Sequence, residues 1–273
     1  MKNLLQNKKI KLLKDYFEKQ PEVLIAFLFG SYAKGFAMEE SDIDIAVYLK
    51  DKNGEDKIGS QINRILDKDV DLLVLNDAPA TLVSNIFQTG IPLAIKDKRL
   101  YWKIYLKASA EAEDFVNFLE DFWAIYKRSK SLIPVDKARL LERVCFLLEE
   151  LKEVGEFRKL TFKEYKEEKS KRRIIERWVE VICNATLDIA KLILASEKKR
   201  MPKTYEQALY DFGILAGLSE KESEKFSKFA NLRNLLAHEY LDILYSKIQT
   251  FLKEAPEIYK KIFIFLEEYL RKS

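Results

Sequence analysis

One histidine and two cysteines stand in 273 residues, with only eight glycines and six prolines. Each scarcity excludes something. Cys145 and Cys183 lie far apart in apolar, helix-patterned surroundings, so neither a zinc-binding spacing nor a disulfide framework is present. Both read as buried free thiols of a reducing compartment. The sparse glycine and proline leave no low-complexity tract and no long flexible linker. No apolar run reaches the roughly 18 residues of a membrane span, and no leader or lipidation motif is visible. A soluble, cytoplasmic protein with no membrane partner is expected.

What the chain has in quantity is apolar and charged side chains. Hydrophobic residues make up 48%, enough for a large core, and charged residues 34%, which points to long exposed helices. The net charge of +4 hides an asymmetry. Residues 1–97 hold 13 basic and 15 acidic residues, and residues 98–273 hold 35 and 29. The first region is the one with carboxylates to spare. The second is a candidate for contact with phosphates or RNA, and its modest excess of positive charge fits a solvated helical surface equally well.

The chain is organised around Gly30–Val47, GSYAKGFAMEESDIDIAV. An apolar run, Val23–Phe29, delivers Gly30-Ser31. Ten residues later comes Asp42-Ile43-Asp44, which opens a second apolar run. Strand residues alternate faces, so Asp42 and Asp44 point to one side. Two adjacent carboxylates repel unless a cation neutralises them. Oxygen ligands of this kind suit Mg²⁺, which takes one or two carboxylates together with substrate phosphates. Gly30-Ser31 offers backbone N–H groups and a hydroxyl where a phosphate can sit.

Gly-Ser, ten residues, Asp-x-Asp resembles the signature of the minimal nucleotidyltransferases in the polymerase-beta-like superfamily, the MntA-type antitoxins among them. The resemblance implies ATP as substrate, Mg²⁺ as cofactor and a third carboxylate from a later strand. Lys68–Leu75 supplies it through Asp71, with Asp69 on the same strand face as the alternative. The segment NIFQTGIPLAIKD also resembles the end of that domain.

The pattern around these residues alternates strands and helices: a helix over 2–19, strands at 23–29, 43–49, 69–75 and 90–95, with short helices between. An α/β sheet domain over 1–97 follows. Beyond it the period is helical throughout. Helices are expected over 100–129, 135–157, 163–199, 204–213, 219–236 and 243–271, with Pro256 kinking or splitting the last. The fold class is α+β, a sheet domain followed by an all-α bundle over 135–273, with 98–134 as a helical connector. The 13 tyrosines and 17 phenylalanines are spread at helical spacing and read as core. The basic run Lys169–Arg173 reads first as a solvated helix face and second as an RNA-facing patch.

The one histidine, His238, sits in ANLRNLLAHEYL. Arg233, His238 and Tyr240 are spaced Arg, four residues, His, x, Tyr. Five residues on a straight helix do not stack Arg233 above His238, though a flexible Arg or a second copy across a two-fold axis pairs them. Histidine serves as general base or acid near neutral pH and Arg grips a phosphate. These parts suit metal-independent cleavage of RNA, where a ribose 2′-OH attacks its own phosphodiester.

RNLLAHEY and the helical pattern from about Arg139 to Leu270 resemble the HEPN superfamily, most closely its HepT-type ribonuclease toxins. In such systems the two families are separate neighbours, and the nucleotidyltransferase transfers AMP onto the tyrosine of the Arg…His-x-Tyr motif. Here both occur in one chain. The resemblance implies Asp42, Asp44 and Asp71 as metal ligands and catalytic residues. Gly30 and Ser31 would hold the β and γ phosphates, Arg233 and His238 would cleave RNA, Tyr240 would accept AMP, and the HEPN region would form a homodimer. Two other readings compete. One is a nucleotidyltransferase acting on a small molecule, as in aminoglycoside-modifying enzymes with a helical substrate domain. The other is a helical scaffold without activity. The complete Arg…His-x-Tyr motif speaks against the first of these, and a ribonuclease assay on a His238→Ala variant separates the second.

Overall fold

A computed structural model describes residues 2–37, 41–51, 55–66, 70–128, 132–235 and 241–272. The chain divides into two compact units, Met1–Asp114 and Phe115–Ser273. It is α+β, with one small sheet in the first unit and helices in the second.

The first unit carries α1 (Lys2–Glu18), β1 (Val23–Leu28), α2 (Gly30–Ala33), β2 (Ile43–Leu49), α3 (Glu55–Leu66), β3 (Val70–Val74), α4 (Ala80–Thr89), β4 (Ile91–Ile95) and the first half of α5 (Lys98–Tyr126). The sheet order is β3-β2-β1-β4. β1 is antiparallel to both neighbours, whereas β2 and β3 are parallel. A parallel pair needs a crossover, and α3 supplies it. The uniformly apolar β1 is explained by its central place, since both of its faces are covered. Leu13 and Phe17 of α1 and Ile58 and Ile62 of α3 pack on one face with Ile43, Ile45 and Val47. Val83, Ile86 and Phe87 of α4 and Ala108 of α5 cover the other, with Phe27 and Ala46. Just beyond β3 the Asn76 amide donates to the Leu49 carbonyl and accepts from the Leu49 N–H, each at 2.9 Å. That side chain substitutes for a strand partner and helps hold the β2–β3 register.

The second unit holds the rest of α5, α6 (Pro134–Glu150), a 3₁₀ turn leading to α7 (Val154–Phe157), α8 (Phe162–Glu167), α9 (Lys169–Ser196), α10 (Tyr205–Leu215), α11 (Glu220–Ser227), α12 (Phe229–Leu235) and α13 (Leu241–Lys272). One continuous core unites them, with α9 at its centre: fifteen of its side chains, Ile175 to Ser196, are buried. Phe122, Phe212, Phe226, Phe251 and Tyr259 are among the fully buried aromatics. Core packing therefore accounts for these aromatics, while Phe36, Trp102, Trp123 and Phe162 are exposed.

Five details depart from the sequence reading, the first being that the helix expected over 135–157 is α6, a 3₁₀ turn and α7. The helix expected over 163–199 is two, because the backbone turns at Glu168 (φ −97°, ψ 88°) after the short α8, which opens with a Thr161–Glu164 capping box. The helix expected over 219–236 is also two, α11 and α12. Cys145 is exposed, and only Cys183 is buried. Finally, Pro256 does not split α13, which runs through it as one helix. Proline deprives the carbonyl four residues earlier, that of Leu252, of its helical N–H. The Arg158 guanidinium supplies the missing donors, Nε at 3.0 Å and Nη2 at 2.7 Å from the Leu252 oxygen. A charge-assisted pair of hydrogen bonds replaces the lost one.

Candidate nucleotide and RNA sites

Two groups of residues carry the chemistry, one in each unit. In the first, β1 ends at Leu28 and the chain turns at Gly30 into the single helical turn of α2. Gly30 has φ +67°, a conformation that glycine adopts without strain. A Cβ there would stand 1.9 Å from Asp44 Oδ2 and 2.6 Å from its Cγ. No other residue fits, so this glycine is required twice over, by its backbone and by its neighbour. The Phe29 N–H donates to the Asp44 carbonyl at 2.9 Å, and the Ser31 backbone N–H donates to the Asp44 carboxylate. Gly30-Ser31 is thus stitched to the start of β2.

Asp44 and Asp71 are direct partners in the parallel β2–β3 register. Their strand neighbours Ala46 and Leu73 belong to the α4–α5 side of the sheet, so by alternation both carboxylates point to that side. Asp42 lies just before β2 and is exposed; Asp44 is half-buried. The Asp44 carboxyl is held above the ordinary carboxylate range, first by burial and then by the charge of Asp71, with a smaller push from Asp42 and an opposing pull from the Ser31 N–H. Asp44 therefore senses both Asp71 and Asp42 as charges. Among the described residues no three Asp, Glu, His or Cys side chains already stand as a ligand set for a metal ion. The donor chemistry still fits a hard divalent cation. The donors are carboxylate oxygens, no thiol or imidazole intrudes, and their mutual repulsion is what such a cation relieves. Asp69, the alternative third carboxylate, lies outside the described residues.

In the second unit Arg233 lies near the end of α12, partly buried. Its guanidinium carbon stands over the ring of Tyr205, 4.9 Å from the centroid. Arg233 also approaches the buried Cys183, whose Sγ–H donates to the Phe229 carbonyl at 3.1 Å. Burial pushes the Cys183 thiol up to about 12, with the Arg233 charge opposing, so this cysteine is an inert thiol. His238 and Tyr240 lie outside the described residues. The basic run at the start of α9 is partly engaged locally, with Lys171 bonded to Glu164 at 2.8 Å and Glu168 at 3.0 Å. Tyr205, beneath the Arg233 guanidinium, is a residue that the sequence reading did not single out. The pattern Thr204-Tyr-Glu-Gln207 was its signal, a helix start that holds an aromatic at a defined place.

No helix among the described residues is long and apolar enough to cross a membrane. Residues 11–99 match the family described as Polymerase beta, Nucleotidyltransferase, and residues 147–264 match Ribonuclease HepT-like. The chain is 37% identical over 93 residues to the Protein adenylyltransferase MntA of Shewanella oneidensis, a stretch covering 33% of this chain and 65% of that protein. Among solved structures it is similar to a toxin-antitoxin with AMP-PNP, at 30% identity over 40% of this chain and 88% of that one, with a TM-score of 0.33. It is also similar to a tri-AMPylated Shewanella oneidensis HEPN toxin in complex with MNT antitoxin, at 29% identity over 42% of this chain and 89% of that one, with a TM-score of 0.31. This chain joins a nucleotidyltransferase of the polymerase beta family to a HepT-like ribonuclease domain in one polypeptide.

Proposed function

We propose that the first unit transfers AMP from ATP to Tyr240, and that this modification silences RNA cleavage by the Arg233–His238 motif of the same protein. The observation that carries the reading is the local geometry of the first site. Gly30 lies so close to Asp44 that only a glycine fits, and Asp44 is register-paired with Asp71. Backbone N–H groups and a hydroxyl beside register-paired carboxylates are the donors and acceptors that nucleotidyl transfer needs. Family membership and the adenylyltransferase relative support the same reading.

Asp42, Asp44 and Asp71 would hold Mg²⁺, which when bound offsets charge on the ATP phosphates and on the attacking oxygen. Gly30 and Ser31 orient the β and γ phosphates through N–H and hydroxyl donors. The Tyr240 oxygen attacks the α-phosphorus, a new P–O bond forms, and the bond to pyrophosphate breaks. A phenol has an ordinary pKa near ~10, so its proton needs an acceptor, and Asp71 takes that role. In the second site His238 withdraws the proton of a ribose 2′-OH and Arg233 grips the phosphate under attack. AMP on Tyr240 puts a bulky anion beside both groups and excludes RNA. A second copy of the chain completes a paired HEPN site.

The test is intact mass after incubation with Mg²⁺ and ATP, on wild type, Asp42→Ala/Asp44→Ala and Tyr240→Phe. Gain of one or more AMP units by wild type alone is expected. No gain by demonstrably unmodified wild type would sink self-modification and point to an external acceptor.

A further inference from the structure

We infer that Tyr205 is a positioning residue for RNA cleavage, holding the Arg233 guanidinium through its ring so that the charge meets the scissile phosphate already oriented. The inference rests on the reading of Arg233 as the phosphate-gripping group.

Three observations carry it. Arg233 lies over the Tyr205 ring at 4.9 Å, well within the range of a cation–π contact. The ring is itself locked. Phe115 and Phe118 meet it at steep angles, 82° and 80°, with centroids 4.9 and 5.3 Å away. Its backbone is fixed as the first residue of α10, where the Thr204 hydroxyl caps the Gln207 N–H at 3.1 Å. The next residue makes a second tie between the same two helices, since the Asn231 amide donates to the Glu206 carboxylate. Tyr205 and Glu206 thus grip Arg233 and Asn231, two residues apart on α12.

The chemistry follows from the shape of the groups. Arg has a long side chain whose rotamer freedom is lost when it binds a phosphate. A ring beneath the guanidinium removes that freedom beforehand. Attraction to a ring uses the face of the cation, while oxyanions are bound by N–H groups in its plane, so the two contacts are compatible. A core aromatic placed only for packing needs no cation over its face. Tyr205 therefore affects how RNA is turned over, and does so through the electron density of its ring.

The experiment varies that density without changing shape. In the full-length Asp42→Asn/Asp44→Asn chain, which leaves Tyr240 unmodified, position 205 is set to Tyr, Phe and then mono-, di- and trifluorinated Phe. Cleavage of an oligoribonucleotide is measured as kcat and KM, with thermal melting as the control for folding. Each fluorine weakens the ring's negative face at nearly constant volume. A stepwise fall in kcat/KM, roughly tenfold across the series at constant melting temperature, is expected. In an Arg233→Ala background the same series should be flat, because the partner is gone. A flat series with Arg233 present, while Arg233→Ala alone sharply lowers cleavage to a still measurable rate, would overturn the role of Tyr205 and leave the ribonuclease reading intact. Cleavage unaffected by Arg233→Ala would overturn both.

Discussion

In the first unit the charged groups of the site are spaced by the backbone; in the second the one described charge of the site is placed by another side chain. Asp44 and Asp71 face each other because β2 and β3 run parallel in a register that also pairs Ile43 with Val70 and Val47 with Val74. Arg233 gains its place from a ring on α10, a helix that starts 28 residues earlier in the chain. A sheet can hold two like charges together because the ladder and the covered apolar strands oppose their repulsion. A helix surface offers no equivalent ladder to a neighbouring helix. A bundle therefore needs specific side-chain partners wherever position matters, and Arg158 at the Leu252 carbonyl repeats the lesson.

The sharpest way to break the backbone-built site is Gly30→Ala. A methyl group 1.9 Å from Asp44 Oδ2, on a backbone with φ +67°, must displace the carboxylate or the turn. AMP transfer should fall by about 10²-fold, since displacements near 1 Å cost that much, with a loss of about 1–3 kcal/mol in the stability of the first unit. Denaturant unfolding followed beside the transfer rate checks both. RNA cleavage by unmodified protein should not change.

A smaller effect tests the side-chain-built half. Arg158→Met leaves the Leu252 carbonyl without the donors that replace the missing N–H of Pro256. It should cost about 1–3 kcal/mol. Pro256→Ala restores a helical N–H, so Arg158→Met should cost less in that background, and a double-mutant cycle from urea melts measures the difference. Equal costs in both backgrounds would mean that the guanidinium acts elsewhere.

The smallest effect is a pH dependence. The Lys261 ammonium, then the Ser219 backbone N–H and hydroxyl, pull Glu222 down to about 2. A carboxyl with a depressed folded pKa stabilises above the ordinary carboxylate range and loses that contribution as pH falls toward about 2. The pair is largely exposed, so the loss should lower the melting temperature by only a degree or two. Glu222→Gln should remove that part of the slope between pH ~5 and ~2.

How much of this was legible in the sequence depends on the periodicity involved. Asp42-x-Asp44 and the apolar runs beside it are a period-two pattern, so strand, face and carboxylates could be read together. Asp71 could be chosen from the start of its apolar run, and the structure puts it opposite Asp44. The clash that makes Gly30 obligatory is a contact across fourteen residues, outside what periodicity reports. In the helical half the 3.6 period located nearly every helix but not their interruptions. Nothing around Glu168 marks a break except the capping box just before it. The rescue of Pro256 comes from Arg158, nearly a hundred residues away. Cys145 was expected inside because its neighbours are apolar. It sits one position off the buried Leu140, Val144 and Leu147 stripe and so faces outward.

In our proposal one polypeptide carries both an AMP-transferring site and the RNA-cleaving motif which that transfer silences. RNA cleavage by the purified full-length chain, measured before and after incubation with Mg²⁺ and ATP beside a Tyr240→Phe control, tests it most directly. Wild type should lose cleavage in step with its gain of AMP mass while the control keeps both its mass and its cleavage. Wild type that has gained AMP and still cleaves RNA at its original rate would contradict it.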